Sequence, residues 1–168
     1  MSKCEGFAPI VPTQPKVLIL GTAPSVVSLE KSFYYAHPRN AFWPILADYF
    51  NQPVDSVEAK KALCLENDIL LWDVLSACER QGSLDSAIKQ PKANDFETLF
   101  QTYPDLKVVL FNGKAAQNLF EKQVVKKQSL PEDLMFYSLP STSPANARLT
   151  FENKRVFWHK TLQQTLTK

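Results

Sequence analysis

Glycine and cysteine are scarce in this sequence, and a long apolar run is absent. Only four of the 168 residues are glycine and three are cysteine, namely Cys4, Cys64 and Cys78. These cysteines have neither the number nor the spacing of a structural zinc site or an iron–sulfur cluster, so we expect reduced, unpaired thiols and no metal. No stretch approaches the ~20 apolar residues that a membrane span needs, and residues 1–14 lack a signal-peptide core. The sequence therefore predicts a cytoplasmic protein with no membrane segment.

Charge of one sign is not in excess either. Lysine and arginine number 19 against 17 aspartates and glutamates, so the formal net charge is +2. A strongly basic domain would indicate general affinity for phosphate, and this chain is not strongly basic. Any contact with nucleic acid should therefore be local, or made by backbone amides and hydroxyl groups. The length fits one domain over residues 1–168, with the proline-rich residues 1–15 as an irregular lead-in.

Short apolar runs alternate with amphipathic segments along the chain. The runs lie at residues 16–20, 68–74, 107–111 and 134–139, and they are typical of buried parallel strands. The amphipathic segments, which predict helices, lie at residues 41–50, 56–65, 95–103, 114–125 and 151–166. This alternation predicts an α/β fold, a three-layer α/β/α sandwich with a four-stranded, mainly parallel central sheet.

Turn-forming and small polar residues follow three of the four predicted strands. Gly21 and Gly113 come just after two of them, and the last strand runs into residues 139–144, Leu-Pro-Ser-Thr-Ser-Pro. Ligands of open α/β sheets bind outside the carboxyl ends of the strands, so these loops predict a site. The first loop, from Gly21 to Ser25, lacks the further glycines of a dinucleotide loop and the pattern of a Walker A loop, which disfavours a nucleotide cofactor.

A cluster of aromatic residues surrounds His37, Arg39 and Asn40 in the segment at residues 32–43. Aromatic faces can stack on a flat base, and arginine can bind phosphate, so the cluster fits a nucleic-acid site. A core helix preceded by an amphipathic loop explains the same composition. His37 precedes a proline, which favours a loop position over a helical one. Asp73, at the end of a strand, is expected to cap a helix or make a buried hydrogen bond rather than act in catalysis.

Several segments, taken together, resemble the uracil-DNA glycosylase superfamily, and more narrowly its hypoxanthine-DNA (deoxyinosine) glycosylase branch. They are Gly21-Thr-Ala-Pro-Ser25, Tyr35-Ala-His-Pro-Arg-Asn-Ala-Phe-Trp-Pro44, residues 71–86, Phe111-Asn-Gly113 and Leu139-Pro-Ser-Thr-Ser-Pro-Ala-Asn146. The second and last strings are the specific ones. The resemblance implies an α/β/α enzyme that flips a deaminated base out of double-stranded DNA and hydrolyses its N-glycosidic bond. It implies no cofactor, and an abasic site as the product.

The resemblance also implies which residue acts on the bond. Elsewhere in the superfamily a catalytic Asp or Asn lies in the first strand loop, which here has neither. The hypoxanthine branch uses an asparagine in the following segment, and Asn40 matches it. A neutral amide is a poor base, so Asn40 is expected to position the attacking water. The uracil enzymes commonly carry a histidine where Leu139 stands, so uracil excision of their kind is not expected.

The remaining site residues are expected to bind the substrate. They are Gly21, Thr22, Ala23, Pro24, His37, Arg39, Phe42, Asn112, Gly113, Ser141, Thr142 and Ser143. The amide of Asn112 offers the donor and the acceptor that hypoxanthine's O6 and N1–H require, although it could instead cap the helix that follows. The first-loop amides would stabilise the departing base, and the serine hydroxyls would bind phosphate.

Arg39 would also bind phosphate, and Phe42 or Tyr34 would stack on the base. Two roles are open for His37: electrostatic help to the reaction, or a structural role in its loop. Because one flipped base needs one pocket, we expect a monomer. Two alternatives remain open: a uracil- or mismatch-specific glycosylase of the same fold, and a non-catalytic α/β module that binds nucleic acid.

Overall fold

The computed structural model describes residues 2–80 and 88–166. Its strands are β1 (Ser2–Glu5), β2 (Val17–Gly21), β3 (Ile69–Asp73), β4 (Leu75–Arg80), β5 (Lys89–Ala93), β6 (Val108–Asn112) and β7 (Met135–Leu139). Its helices are α1 (Val26–Lys31), α2 (Phe42–Phe50), α3 (Val57–Glu66), α4 (Phe96–Thr102), α5 (Lys114–Phe120) and α6 (Phe151–Leu166), and α5 continues as a π-helical turn over Glu121–Val125. In these ranges no helix is long and apolar enough to cross a membrane.

The central sheet has the strand order β3-β2-β6-β7, and every neighbouring pair is parallel. Along β2, Val17 and Ile19 pack into one apolar cluster, whereas Leu18 and Leu20 pack into another. Successive side chains of a strand point to opposite faces, so each face of the sheet has its own core. Helices α2, α3 and α6 cover one face, and α4 and α5 cover the other. The predicted α/β/α sandwich with four parallel strands is confirmed.

Helix starts follow the local sequence. The Ser56 hydroxyl accepts a hydrogen bond from the amide of Ala59 at 3.0 Å and caps α3. The Asp95 carboxylate accepts from the amide of Thr98 at 3.0 Å and caps α4, and this bond lowers the pKa of Asp95. A side-chain acceptor at the N-cap satisfies one of the amides that a helix start leaves unpaired. These two caps explain why both helices begin one residue after the predicted starts.

A second, three-stranded antiparallel sheet with the order β1-β4-β5 was not predicted. Only Val74 separates β4 from β3, so the sequence offers no turn signal between them. Strand β5, Lys-Gln-Pro-Lys-Ala, has no apolar alternation and contains a proline, as sheet edges often do. The prediction of an irregular lead-in is wrong at Ser2–Glu5, which forms β1 and pairs with β4.

The cysteines also depart in part from expectation. Cys64 is a free thiol buried on α3, and its burial raises its pKa to about 12. Cys78 lies on β4 and is disulfide-bonded, with the Cα of Cys4 opposite it in the register of β1 and β4. The prediction of unpaired thiols is therefore right for Cys64 and wrong for Cys78. The spacing along the chain could not show that the two strands would pair.

Candidate active site

A pocket lies at the carboxyl ends of β2, β3 and β6, beside the loop that follows β7. It holds about 600 Å³ of empty space, part of which is open to solvent. The predicted site residues that line it are Gly21, Thr22, Ala23, Asn40, Asn112, Ser141, Thr142 and Ser143. Parallel strands bring loops that are distant in sequence to one edge of the sheet, which is why these separate segments meet here.

Gly21 ends β2 at the floor of the pocket, where two side chains approach it closely. A Cβ atom at this position would lie 2.7 Å from Oδ1 of Asp73 and 2.7 Å from Oη of Tyr35. Asp73 is the register partner of Gly21 on the neighbouring strand. The absence of a side chain at Gly21 therefore gives Asp73 and Tyr35 the space to reach the pocket that they line.

The first loop is tied to the aromatic segment through two serines. Ser25 caps α1, because its hydroxyl accepts from the amide of Ser28 at 3.1 Å. The hydroxyl of Ser28 accepts in turn from the amide of Ala36 at 3.0 Å. Both serines line the pocket. The position of the segment at residues 32–43 is thus set in part by the loop that follows β2.

The aromatic residues of this segment divide into wall and support. Tyr35 lines the pocket with a backbone φ of +51°, which is unusual for a bulky residue and is a kind of strain found at functional sites. Phe42 lies beneath it, with ring centroids 4.2 Å apart, and is fully buried against Trp43 and Trp158. The expectation that Phe42 stacks on the substrate is therefore wrong, because its ring faces the core.

Tyr34, the other stacking candidate, does line the pocket but is 3% exposed. Its hydroxyl donates to the carbonyl of Ala8 at 2.8 Å, which fixes the chain before β2 against the site. Burial, and then the nearby Asp73 carboxylate, raise the pKa of Tyr34. Tyr34 is thus a neutral hydrogen-bond donor to the backbone, and the half-buried Tyr35 presents the accessible ring.

Asn40 lies half-buried in the pocket lining, just before α2. Its Oδ1 accepts from the amide of Phe42 at 2.9 Å, and its own amide donates to the carbonyl of His37 at 2.9 Å. The first bond holds the Asn40 side chain, and the second, which Asn40 donates through its backbone N–H, closes a tight turn in the main chain. An amide oxygen has two lone pairs and the Nδ2 group has two hydrogens, so Asn40 can still bind a water molecule.

His37, Arg39 and Pro24 do not line the pocket among the residues that the structure describes. Nδ1 of His37 accepts from the amide of Arg39 at 3.0 Å, so His37 shapes the turn that ends at Asn40. The Arg39 side chain is exposed on this turn. Pro24 is buried in the first loop.

Asn112 and Thr142 form a closed pair at the end of β6. Oδ1 of Asn112 accepts from the amide of Thr142 at 2.9 Å, and Nδ2 of Asn112 donates to Oγ1 of Thr142 at 2.9 Å. The carbonyl of Thr142 accepts from the amide of Ala41 at 3.0 Å. Thr142, only 1% exposed, therefore links β6 to the residue that follows Asn40. Asn112 does not cap the next helix, since the N-cap of α5 is Gly113 and has no side-chain bond.

Gly113 packs against Ser141 in the loop that follows β7 and is not in the pocket lining. Its φ is +99°, and a Cβ there would lie 3.0 Å from Cβ of Ser141. Two residues of α6 hold the same loop: Nζ of Lys154 donates to the carbonyl of Ser143 at 3.1 Å, and Nε1 of Trp158 donates to that of Pro140 at 2.9 Å. Lys154 is only 6% exposed, and this burial lowers its pKa.

Sequence reasoning missed Tyr35, Ser25 and Ser28 as lining residues and gave Asp73 a structural role. Ligands of open α/β sheets bind outside the carboxyl ends of the strands, and Asp73 is the last residue of β3. The sequence therefore did contain a signal that Asp73 lines the site. No comparable signal exists for Ser28, which is brought to the pocket by the short helix α1.

Known proteins match the chain over most of its length. The model of the uracil DNA glycosylase superfamily matches residues 8–162. A protein named hypoxanthine DNA glycosylase from Methanosarcina barkeri is 40% identical over 114 residues, which are 67% of this chain and 72% of that protein. A protein of the same name from Methanosarcina acetivorans is 32% identical over 156 residues, covering 92% of this chain and 94% of that one.

A solved structure agrees with these matches. It is the solution NMR structure of a protein from Methanosarcina acetivorans, described provisionally as a uracil DNA glycosylase. The two share 31% sequence identity and superpose with a TM-score of 0.79, over 98% of this chain and 99% of the other. Together with a pocket built at the strand ends, these matches show that the chain belongs to the uracil DNA glycosylase superfamily, in the branch that holds the hypoxanthine DNA glycosylases.

Proposed function

We propose that this protein is a monofunctional DNA glycosylase that removes hypoxanthine from double-stranded DNA and leaves an abasic site. The observation that carries the proposal is the pocket that joins Asn40 to the strand-end loops. A base within a duplex is out of reach of any side chain, so the nucleotide must be flipped into this pocket. Hypoxanthine pairs weakly with thymine, which lowers the cost of flipping it.

The reaction is the addition of water across the C1′–N9 bond. That bond breaks, its electron pair leaves with the base, and the water oxygen bonds to C1′. One water proton goes to the departing base and the other stays on the new hydroxyl group. We assign to Asn40 the positioning of this water, because its side-chain oxygen is held by the backbone amide of Phe42 and its side chain keeps donor and acceptor capacity.

The other predicted site residues take supporting roles in this proposal. The half-buried ring of Tyr35 forms the wall on which the base stacks. Backbone amides of the loop at Thr22 and Ala23 stabilise the negative charge on the departing base. Ser141 and Ser143, with Arg39 at the exposed edge, bind the phosphates on either side of the flipped nucleotide.

A uracil- or mismatch-specific glycosylase of the same fold is the alternative enzyme, and a duplex panel separates the two. Duplexes that carry one hypoxanthine, uracil, xanthine or normal base are incubated with the protein, and abasic sites are counted after alkaline cleavage. We expect release of hypoxanthine above all other bases. Release of uracil alone would contradict the assignment, and tight binding without any abasic product would indicate a binding module.

We further propose that the protein works as a cytoplasmic monomer on DNA that carries a deaminated base. One flipped nucleotide occupies one such pocket, so no second copy is needed to complete it. Sedimentation of the protein with and without a deoxyinosine duplex tests this, and we expect one protein per lesion.

Asn112 is expected to act on catalysis through Thr142 and Asn40. The variant Asn112→Ala breaks both bonds to Thr142 and loosens the turn that places Asn40. We expect the single-turnover rate to fall about 10-fold or more, since small misplacements near the reaction are costly. In an Asn40→Ala background the same change should have almost no further effect. Fully additive losses in this double-mutant cycle would mean that Asn112 acts independently of Asn40, for instance on the base.

Lys154 should matter for DNA binding more than for the chemical step. Replacing it by methionine removes the donor to the partly buried carbonyl of Ser143, and the loss of such a hydrogen bond costs about 1 kcal/mol. The loop that presents Ser141 and Ser143 becomes mobile, so we expect the concentration for half-maximal rate to rise about 10-fold. Lys160→Met, on the exposed side of α6, is the matched control. Equal behaviour of the two variants would contradict the role of Lys154.

A further inference from the structure

We infer that Asp73 selects the base: its carboxylate accepts a hydrogen bond from the N1–H group of the flipped hypoxanthine. This inference deepens the proposed function and rests on it. Its basis is the place of Asp73 in the pocket, the way its side chain is held, and the hydrogen-bonding pattern that deamination creates.

Asp73 lies deeper in the pocket than Asn40. It ends β3, next to Gly21 on β2, and is 3% exposed, whereas Asn40 is half-buried. A nucleotide that enters from the open side brings its base to the floor and leaves its sugar nearer the rim. Asp73 therefore faces the base edge while Asn40 faces C1′, in agreement with the role assigned to Asn40. Among the described residues that line the pocket, Asp73 is the one carboxylate.

Burial and an anchored main chain restrict the Asp73 side chain before the substrate arrives. Oδ1 packs over the bare Cα of Gly21 beside Oη of Tyr35. The Asp73 backbone is anchored as well, because Nδ2 of Asn94 donates to its carbonyl at 2.8 Å. A group fixed in this way can read a base edge without first becoming ordered.

Deamination reverses the hydrogen-bonding pattern of the adenine edge. Adenine carries an acceptor at N1 and a donor at its 6-amino group, whereas hypoxanthine carries a donor at N1 and an acceptor at O6. An ionised carboxylate only accepts hydrogen bonds. It therefore gains a charge-assisted bond from hypoxanthine N1–H and faces a second acceptor when adenine enters. An amide can turn either end toward the base, so it would not discriminate in this way.

The same contact does not separate hypoxanthine from guanine, which also has an N1–H group. Guanine in DNA is protected by its stable pair with cytosine, which makes flipping expensive. The carboxylate also gives no help to bond cleavage, because a negative group beside N1–H does not stabilise the negative charge on the departing base. Asp73 is thus a specificity-determining residue, and its removal should change the choice of base more than the rate.

The test compares Asp73→Asn with the wild type on two duplexes. One carries deoxyinosine and the other 2′-deoxynebularine, whose purine ring has a bare acceptor at N1. The measured quantity is the single-turnover efficiency on deoxyinosine divided by that on 2′-deoxynebularine. The N-glycosidic bonds of the two nucleosides differ in strength, but this difference is the same for both proteins and cancels when their ratios are compared. We expect the ratio to fall about 10- to 100-fold in Asp73→Asn, as for the loss of a charge-assisted hydrogen bond. Asp133→Asn, which removes the same charge from a surface ion pair with Lys107, should leave it unchanged.

An unchanged ratio, with both efficiencies reduced equally, would overturn the inference and leave the proposed function intact. Absence of hypoxanthine release by the wild type would instead overturn the proposed function.

A second measurement is independent of how well the Asp73 variant folds. In a complex of Asn40→Ala with DNA that carries 15N1-labelled deoxyinosine, we expect the N1–H proton to be protected from exchange and shifted downfield. Exchange as fast as in free single-stranded DNA would also overturn the inference.

Discussion

Replacing Asn40 by alanine is expected to lower the single-turnover rate of hypoxanthine release about 100- to 1,000-fold, as does the loss of a single preorganised polar group elsewhere. The side-chain oxygen of Asn40 is held by the backbone amide of Phe42, so loss of this side chain leaves the attacking water without a defined position. Affinity for the deoxyinosine duplex should stay within about threefold of the wild type, because phosphate contacts supply most of it. Rates from rapid-quench assays and affinities from fluorescence anisotropy check both parts.

Asn118→Ala provides the matched control for this prediction. Asn118 lies exposed on α5, away from the pocket lining, and alanine is well suited to a helix interior. We expect Asn118→Ala to release hypoxanthine at the wild-type rate. Equal rates for Asn40→Ala and the wild type would remove Asn40 from the mechanism.

Replacing Gly21 by alanine should give the second large loss, about 100-fold in single-turnover efficiency. The new methyl group would lie 2.7 Å from both Oδ1 of Asp73 and Oη of Tyr35, which is closer than atoms can pack. Both side chains must then move within a pocket whose walls are largely buried. Because the displaced groups are side-chain ends and the strand itself is untouched, we expect the melting temperature to change far less than the activity.

The variant Tyr35→Phe makes this prediction specific. It removes the hydroxyl oxygen and with it one of the two close approaches, so Gly21→Ala should cost less in the Tyr35→Phe background than alone. Double-mutant efficiencies measured against both single variants give this difference directly. If Gly21→Ala is fully active, the packing of Asp73 and Tyr35 over β2 does not shape the site.

The central sheet was predictable because its strands are continuous apolar runs, while other elements lack any such pattern. Strands β4 and β5 are polar or follow another strand without a turn, and their pairing depends on contacts distant in sequence. The strand-end loops predicted where Asn112 and Ser141 would lie, since parallel topology brings them to one edge. The partners of Asn112 could not be predicted, because they depend on the fold of the loop around Thr142.

The sequence is compatible with two positions for Phe42, in the core or against the substrate, and the structure shows the first. The same sequence stripe that predicts α2 places Phe42 with Ile45 and Leu46 on the apolar face of that helix. The helix turns this face to the core, so Phe42 supports Tyr35 from below and does not reach the pocket. Tyr35, with its left-handed backbone, takes the accessible position.

The small net charge is compatible with DNA binding because the site offers local contacts. The loop of Ser141 and Ser143 supplies hydroxyl groups, and the buried Lys154 ammonium lies directly behind it. Arg39 is exposed on the segment that carries Asn40. Few phosphate contacts imply a shallow dependence of affinity on salt.

Base release from a single lesion tests the proposed function most directly. Wild-type protein and Asn40→Ala are each mixed in excess with a duplex that holds one deoxyinosine opposite thymine. Free base is identified by mass spectrometry, and abasic sites are counted by alkaline cleavage. We predict one hypoxanthine for each abasic site from the wild type and almost none from Asn40→Ala in the same time. A wild-type protein that binds this duplex and releases no base would contradict the proposal.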